Sequence, residues 1–178
     1  MTMDTKAIRL VLFDVDGVLT DGTIFIGPDG EEFKAFNAKD GVAISLLKKN
    51  GIQVGIISGK ASKALDFRIN QLDIHYAITG CKDKVTALNS LMGDTGFNAD
   101  QIAFVGDDII DIGVMKQVAL SIAPSDAHKL VLDIVSYVVP AKGGQGVARA
   151  SAEYILEQSG LSLEDMYADL VGEYQINQ

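Results

Sequence analysis

Two aspartates, Asp14 and Asp16, follow a short apolar segment near the start of the chain. The segment, Leu10–Phe13, has the length and composition of a buried strand, and Gly17 comes directly after the second aspartate. Because side chains alternate along a strand, both carboxylates should point to the same side of its end. Two carboxylates so close together repel each other and resist ionising at the same time. A magnesium ion, which prefers oxygen ligands, would relieve this repulsion. One carboxylate could then attack phosphorus while the other protonates the leaving oxygen. The alternative is a turn of surface aspartates.

Ser58 and Lys84 could add to such a site. Ser58 and Gly59 follow a second apolar segment, residues 53–57, and we expect them to begin a helix. A hydroxyl and the N–H groups of a helix start suit a phosphate oxygen, although a serine there could be an ordinary N-cap. Lys84 lies near the start of the next predicted helix, where its charge could neutralise a carboxylate and a phosphate together. The alternative interpretation is that Lys84 is an ordinary solvated lysine on the surface.

An acidic cluster follows the apolar segment 102–105. Asp107 and Asp108 end this predicted strand, and Asp111 lies one helical turn further on. A bound metal needs oxygen ligands from more than one loop, and this cluster supplies them. The alternative is a helix start whose acidic residues interact with the helix dipole.

The elements that must position these residues alternate between apolar strands and helices. This pattern predicts an α/β fold, a doubly wound parallel sheet with helices on both faces. Ligands in such folds bind beyond the carboxyl ends of the strands, where Asp14, Ser58 and Asp107 fall. A β-hairpin is predicted over residues 23–36, because Pro28-Asp29-Gly30 between apolar segments favours a tight turn. The predicted strands are 10–13, 53–57, 76–79, 102–105, 119–122 and 137–139, and the predicted helices are 42–49, about 59–72, 83–91, 109–117, 127–134 (capped by Ser125-Asp126) and 147–158.

Length and composition predict one domain spanning residues 1–178, with a net charge of -9. The negative charge argues against nucleic acid or an anionic membrane as a partner. Cys81 is the only cysteine, and no apolar run approaches the ~20 residues of a membrane-spanning helix, so we expect a cytoplasmic protein. The tail, about residues 160–178, could form an amphipathic helix that packs on the core or on a neighbouring chain through Leu161, Met166, Tyr167, Leu170 and Val171.

Together these motifs resemble those of the haloacid dehalogenase superfamily, over about residues 9–160. The matching motifs, in chain order, are Asp14-Val-Asp16-Gly17, Ser58, Lys84 and Gly106-Asp-Asp-Ile-Ile-Asp111. The resemblance implies that Asp14 becomes an aspartyl-phosphate and that Asp16 is the acid and base. Ser58 and Lys84 would complete the catalytic set.

The same resemblance implies a magnesium ion, Mg2+. Its ligands would be Asp14, Asp107 and Asp16, the last through the backbone carbonyl. Asp111 would lie behind the ligands, near Lys84, and Asp108 could hold metal-bound water.

Larger members of the superfamily carry a cap domain, for which this chain has no room. Only the predicted hairpin follows the first motif, and residues 60–84 are too few for a second domain. The chain also contains Asn37-Ala-Lys-Asp-Gly41, Ile57-Ser-Gly-Lys60, Arg68 and Gly143-Gly-Gln-Gly146. Together with residues 14–22, these segments resemble the capless 3-deoxy-D-manno-octulosonate 8-phosphate phosphatases of lipopolysaccharide biosynthesis. This resemblance implies a small phosphorylated sugar acid as substrate and a homotetramer in which neighbouring chains help to close each site. The implied substrate contacts are Asp16, Asn37, Lys39, Asp40, Gly41, Ser45, Lys60, Arg68 and Lys84.

Two departures from that family concern substrate recognition or docking of the tail. Lys60 stands where the family usually has arginine, and lysine cannot make a planar two-pronged contact. Arg149 is followed by Ala150 rather than by glutamate. A phosphatase of a nonulosonate 9-phosphate therefore remains an alternative. A phospho-receiver signalling domain and a catalytically silent scaffold of the same fold are alternatives of other classes.

Overall fold

The computed structural model describes residues 8–168, apart from the side chains of Glu31 and Glu32. Strands and helices alternate along most of this range, as the sequence predicts. The strands are β1 (Leu10–Phe13), β2 (Phe25–Gly27), β3 (Gly30–Phe33), β4 (Gln53–Ile57), β5 (Tyr76–Ile78), β6 (Ile102–Val105), β7 (Leu120–Ala123) and β8 (Tyr137–Val138). The α-helices are α1 (Ala38–Lys49), α2 (Lys63–Leu72), α3 (Lys84–Thr95), α4 (Ile112–Met115), α5 (Lys129–Leu132) and α6 (Val147–Gln158).

The main sheet has six parallel strands in the order β5-β4-β1-β6-β7-β8. The chain first extends the sheet from β1 towards β5 and then returns to the other side of β1 with β6. The order therefore reverses beside β1, and a crevice for a ligand opens at such a point beyond the carboxyl ends of the strands. This is the doubly wound parallel sheet predicted from the sequence, with a hairpin insertion and, among residues 8–168, without a cap domain.

Residues of β1 alternate between two apolar clusters. Val11 and Phe13 lie in the cluster that includes α1 and α6, whereas Leu10 and Leu12 lie in the cluster that includes α3. All four side chains are fully buried, and burial of each stabilises the fold by about 1.5–3 kcal/mol. Because helices cover both faces, the strands are apolar at consecutive positions, which explains why they could be identified from sequence.

The predicted hairpin is present as β2 and β3, which form a separate two-stranded antiparallel sheet. It is shorter than predicted at both ends, because residues 23–24 and 34–36 are not part of a strand. Helix α1 in contrast begins four residues before the predicted start. Asn37 caps it there, with its side chain accepting a hydrogen bond from the N–H of Lys39.

Three further predictions about helices were wrong. Ser58 and Gly59 lie in a loop, and α2 begins only after Ser62, whose hydroxyl accepts a hydrogen bond from the N–H of Leu65. Helix α5 is capped by His128, while the Asp126 carboxylate accepts a hydrogen bond from the N–H of Gly143. The predicted helix 109–117 is a 3-10 turn, Ile109–Asp111, followed by the short α4.

The start of the predicted tail helix lies within the described residues. Residues 163–168 are helical, and Met166 is buried in the cluster of α1 and α6, with Leu161 and Tyr167 packed against it. The remaining predicted contacts, Leu170 and Val171, lie outside the described residues. Within residues 8–168, the helices are all too short or too polar to cross a membrane.

Two glycines allow the packing of the sheet to be tested. A Cβ at Gly55 in β4 would lie 2.7 Å from Leu12 Cδ2 and 3.1 Å from the carbonyl oxygen of Tyr76. Gly55→Ala should therefore lower the free energy of unfolding by about 1–3 kcal/mol. Gly93 lies in α3 with nothing within 4 Å of the position that a Cβ would take, so Gly93→Ala should raise stability by about 0.5–1 kcal/mol. Urea unfolding measures both, and an unchanged midpoint for Gly55→Ala would contradict the close packing.

Candidate active site

Asp14 lies directly beyond β1, at the centre of the sheet edge. Its N–H donates to the carbonyl oxygen of Val105 at the end of β6, so the two strand ends are joined here. The side chain is almost wholly buried, and its Oδ1 lies 2.8 Å from Lys84 Nζ. Burial raises the pKa of Asp14 to about 6, against the opposing charge of Lys84.

Lys84 is the first residue of α3 and points into the protein rather than into solvent. Its ammonium also lies 2.6 Å from Asp111 Oδ1, so one cation joins two buried carboxylates. Burial alone would lower the pKa of Lys84, but the charges of Asp14 and Asp111 raise it above its ordinary value. Lys84 is therefore a permanent positive charge beside the carboxylates.

Asp111 is fully buried, and hydrogen bonds reach both of its oxygens. Oδ1 accepts from Lys84, while Oδ2 accepts from the N–H groups of Asp107 and Asp108 at 3.0 and 3.2 Å. Gly106 allows this arrangement, because a Cβ there would lie 2.6 Å from Asp111 Oδ2. Asp111 thus fixes the loop after β6, and its oxygens are already engaged.

Asp107 carries the feature that indicates a cation. Its Oδ1 is buried without a hydrogen-bond partner among residues 8–168. Burial and the charges of Asp14 and Asp111 raise the pKa of Asp107 to about 7. Oxygens of these three aspartates lie within 4.8 Å of one another. An unpartnered carboxylate oxygen within such a group fits a hard divalent cation such as magnesium.

The carboxylate of Asp16 is not part of the group formed by Asp14, Asp107 and Asp111. Its Oδ1 accepts a hydrogen bond from Lys34 Nζ at 2.5 Å, and Lys34 directly follows the hairpin. Reasoning from sequence missed Lys34. It lies 18 residues after Asp16 in a segment without a motif, and only the folded hairpin brings it to the site.

Ser58 and Lys60 lie with the carboxylates in one cavity of about 150 Å3. The loop position of Ser58 is fixed by its N–H, which donates to the carbonyl oxygen of Ile78, and its Oγ accepts from the N–H of Lys60. The cavity is lined by Asp14, Asp16, Ser58, Gly59, Lys60, Lys84, Asp107, Asp108 and Ile110. Sequence reasoning placed most of these residues at one site, and the structure brings them together.

A second cavity, of about 340 Å3, adjoins the first and shares Asp16, Lys60, Asp107 and Asp108 with it. Gly143 also lines this cavity, and it belongs to a glycine turn, residues 143–146, which packs on the loop after β1. A Cβ at Gly143 would lie 2.3 Å from the carbonyl oxygen of Gly17, so only glycine permits this approach. The second cavity offers room for the part of a substrate beyond its phosphate.

The other predicted substrate contacts gather around the start of α1. Asn37 Nδ2 donates to the carbonyl oxygen of Gly144, and Arg68 Nη2 donates to the carbonyl oxygen of Asn37. Gly41 lies beside Arg68, and Lys39 is exposed. Ser45 is also exposed, about two turns further along α1.

Asp40, in the first turn of α1, is buried against the start of α6. Neither of its carboxylate oxygens has a hydrogen-bond partner among the described residues. Burial raises its pKa to about 6, although the nearby backbone N–H groups of Arg149 and Ala148, which lie outside hydrogen-bonding geometry, and the charges of Arg68 and Arg149 oppose that rise. This placement gives Asp40 a role at the junction of the two helices, and its predicted contact with substrate stays a prediction.

The raised pKa of Asp107 has a consequence for stability when metal is removed by a chelator. An aspartate in the unfolded chain has a pKa of about 3.9, against about 7 in the folded protein, so between these values the folded state binds more protons. The free energy of unfolding should therefore fall as pH rises through that window. Asp107→Asn should make the fall shallower in urea unfolding at several pH values. An equally steep fall in the variant would contradict this electrostatic assignment.

Comparison with known proteins supports the same family as the geometry. Residues 78–150 match the family model of haloacid dehalogenase-like hydrolases. The chain is 45% identical over 149 residues to the 3-deoxy-D-manno-octulosonate 8-phosphate phosphatase of Yersinia pestis, covering 84% of this chain and 80% of that protein. It is 40% identical to the Escherichia coli K12 phosphatase of the same name, covering 86% and 81%.

Solved structures agree. A phosphatase of that name from Moraxella catarrhalis, crystallised with magnesium, phosphate and the sugar acid KDO, has a TM-score of 0.86 at 32% identity and covers 95% of each chain. The Yersinia pestis structure has a TM-score of 0.84 at 43% identity, covering 87% of this chain and 84% of that one. With curated relatives at 40% and 45% identity over most of its length, the chain belongs to the haloacid dehalogenase-like hydrolases, in the family of the 3-deoxy-D-manno-octulosonate 8-phosphate phosphatases.

Proposed function

We propose that this protein is a magnesium-dependent phosphatase that hydrolyses 3-deoxy-D-manno-octulosonate 8-phosphate to the sugar acid and phosphate, a reaction of lipopolysaccharide biosynthesis. The observation that carries the proposal is the arrangement of Lys84 between Asp14 and Asp111, beside the unpartnered oxygen of Asp107. The proposed identity of the substrate rests on the names of the relatives given above.

The chemistry follows from the two aspartates beyond β1. Asp14 attacks phosphorus, and the bond from phosphorus to the sugar oxygen breaks, which leaves an aspartyl-phosphate. Asp16 gives its proton to the departing oxygen and then accepts a proton from the water that hydrolyses this intermediate. Ser58 hydrogen-bonds a phosphoryl oxygen, and Lys84 neutralises part of the charge on the group in transfer.

The proposed ligands of magnesium are Asp14, Asp107 and the backbone carbonyl of Asp16. When bound, the ion neutralises charge on the phosphoryl oxygens and offsets the repulsion between the carboxylates. Asp111 and Asp108 support this set, because Asp111 fixes the loop that carries Asp107 and Asp108.

Recognition of the sugar acid is proposed to involve cations outside the phosphate pocket. Lys60 lines both cavities beside the carboxylates, and Lys39 and Arg68 lie near the start of α1. A sugar acid carries a carboxylate besides its phosphate, and these side chains complement that charge. The remaining proposed contacts are Asn37, Asp40, Gly41 and Ser45.

Further predictions from sequence concern the whole chain. A homotetramer, a single domain over residues 1–178 and a cytoplasmic location remain proposals. The hairpin gives some support to an assembly, because Ile24, Phe25, Ile26 and Phe33 are exposed on it. No observation favours the nonulosonate phosphatase, the receiver domain or the silent scaffold.

The substrate is tested by phosphate release from octulosonate 8-phosphate and from a nonulosonate 9-phosphate, with magnesium and with chelator. We expect magnesium-dependent release that is faster from the octulosonate ester. Asp14→Asn should abolish release from both, because an amide cannot form the aspartyl-phosphate, whereas Asp94→Asn on the surface of α3 should retain it. Equal rates for the two esters would overturn the proposed substrate, and substantial turnover by Asp14→Asn would overturn the mechanism.

Magnesium should also stabilise the folded protein. At a concentration 100 times the dissociation constant, a ligand of the folded state adds about 2.7 kcal/mol to the free energy of unfolding. Thermal unfolding with and without magnesium should show this gain in the wild type and in Asp94→Asn, which removes one charge elsewhere. Asp107→Asn should lose most of the gain, and a full gain in that variant would contradict its role as a ligand.

A further inference from the structure

Lys34 connects the hairpin to the active site. It directly follows β3, and its side chain is only 1% exposed. Its ammonium lies 2.5 Å from Asp16 Oδ1, across 18 residues of sequence. The Thr20 hydroxyl donates to the same oxygen at 3.5 Å. Both hydrogen bonds that the Asp16 carboxylate receives from described residues therefore end on Oδ1.

The burial of Lys34 requires an explanation, because a lysine side chain loses rotational freedom when it is fixed and its charge loses hydration. A charge-assisted hydrogen bond to a carboxylate offsets part of that cost. Lys34 also lines a cavity of about 420 Å3 together with Phe33, Phe36 and Phe67. The ion pair therefore links the end of the hairpin directly to Asp16.

When one oxygen of a carboxylate is held by a hydrogen bond, the direction of its other oxygen is restricted as well. With Oδ1 of Asp16 bound by Lys34, Oδ2 is the oxygen left to exchange a proton with the departing sugar oxygen. Proton transfer depends steeply on the position of the donor, so a rotating carboxylate would be a poorer acid.

We propose that Lys34 is a positioning residue for Asp16 in the departure of the sugar, so that effective proton donation requires the hairpin in place. This inference rests on the proposed function. Lys34 acts through Asp16, and the proton still moves from Asp16 to the leaving oxygen as the bond from that oxygen to phosphorus breaks.

The proposal predicts a dependence on the leaving group. A sugar hydroxyl is a poor leaving group and needs the proton, whereas p-nitrophenolate departs readily without one. The value of kcat/KM reports the steps up to loss of the leaving group, so it isolates the proton donation from the later hydrolysis of the aspartyl-phosphate. Loss of Lys34 should therefore lower kcat/KM for the sugar ester far more than for p-nitrophenyl phosphate.

The experiment compares wild type, Lys34→Met, Lys34→Arg and the surface control Lys116→Met on octulosonate 8-phosphate and p-nitrophenyl phosphate, with saturating magnesium. General acid catalysis contributes about 100- to 10,000-fold, so loss of its positioning in Lys34→Met should cost about 10- to 100-fold on the sugar ester. The aryl ester should change by less than about threefold, and Lys116→Met should match wild type on both. Lys34→Arg should show a smaller loss in the same direction, and it decides the question if circular dichroism shows that Lys34→Met does not fold.

Asp16→Asn supplies a double-mutant cycle. If Lys34 acts through Asp16, adding Lys34→Met to Asp16→Asn should change kcat/KM for the sugar ester little further. Equal losses on the two esters, or full additivity with Asp16→Asn, would overturn the inference while leaving the proposed function intact. A wild type that cleaves p-nitrophenyl phosphate but not the sugar ester, or neither, would instead overturn the proposed function and the inference with it.

Discussion

The ion pairs of Lys84 are the interaction on which the rest of the site depends. One ammonium reaches Asp14 beyond β1 and Asp111 in the turn before α4, while the lysine itself begins α3. Three segments distant in sequence are therefore joined at one buried charge. Removing one partner of such a group leaves an uncompensated charge in the interior, at a cost of about 3–5 kcal/mol. The charge of Lys84 also favours the ionised form of Asp14, the proposed nucleophile, so both the stability of the fold and the proposed chemistry require Lys84.

The strands were more predictable from sequence than the helix starts, and burial explains the difference. A strand covered on both faces needs apolar residues at consecutive positions, so β4 and β6 were predicted with the observed bounds. A helix start depends on which of several nearby polar side chains caps it. Ser58 and Ser62 are equivalent as sequence signals, but Ser58 is held in a loop by the carbonyl oxygen of Ile78. That hydrogen bond comes from the neighbouring strand, so local sequence does not reveal it.

The residues of the candidate site also differ in how far they could be predicted from sequence. Asp14, Ser58 and Asp107 follow strands of a parallel sheet, so topology alone brings them to one edge. Lys34 follows a hairpin outside that sheet, and its contact with Asp16 depends on how the hairpin folds back. Asp40 is the opposite case, because a sequence motif identified it and the fold gives it a different environment. Its position in a family motif predicts contact with substrate, but tertiary packing buries it against the start of α6.

The proposed substrate contacts Asn37 and Arg68 are connected by hydrogen bonds to the loop after β1. Arg68 donates to the carbonyl oxygen of Asn37, and Asn37 donates to the carbonyl oxygen of Gly144. The glycine turn that includes Gly144 packs on the loop after β1, where the N–H of Gly144 donates to the carbonyl oxygen of Val18. The chain of contacts thus runs from α2 through the start of α1 to the loop that carries Asp14 and Asp16. A site without a cap domain has few ways to hold a substrate in register with its nucleophile, and rigid contacts of this kind reduce the entropy lost on the way to the transition state.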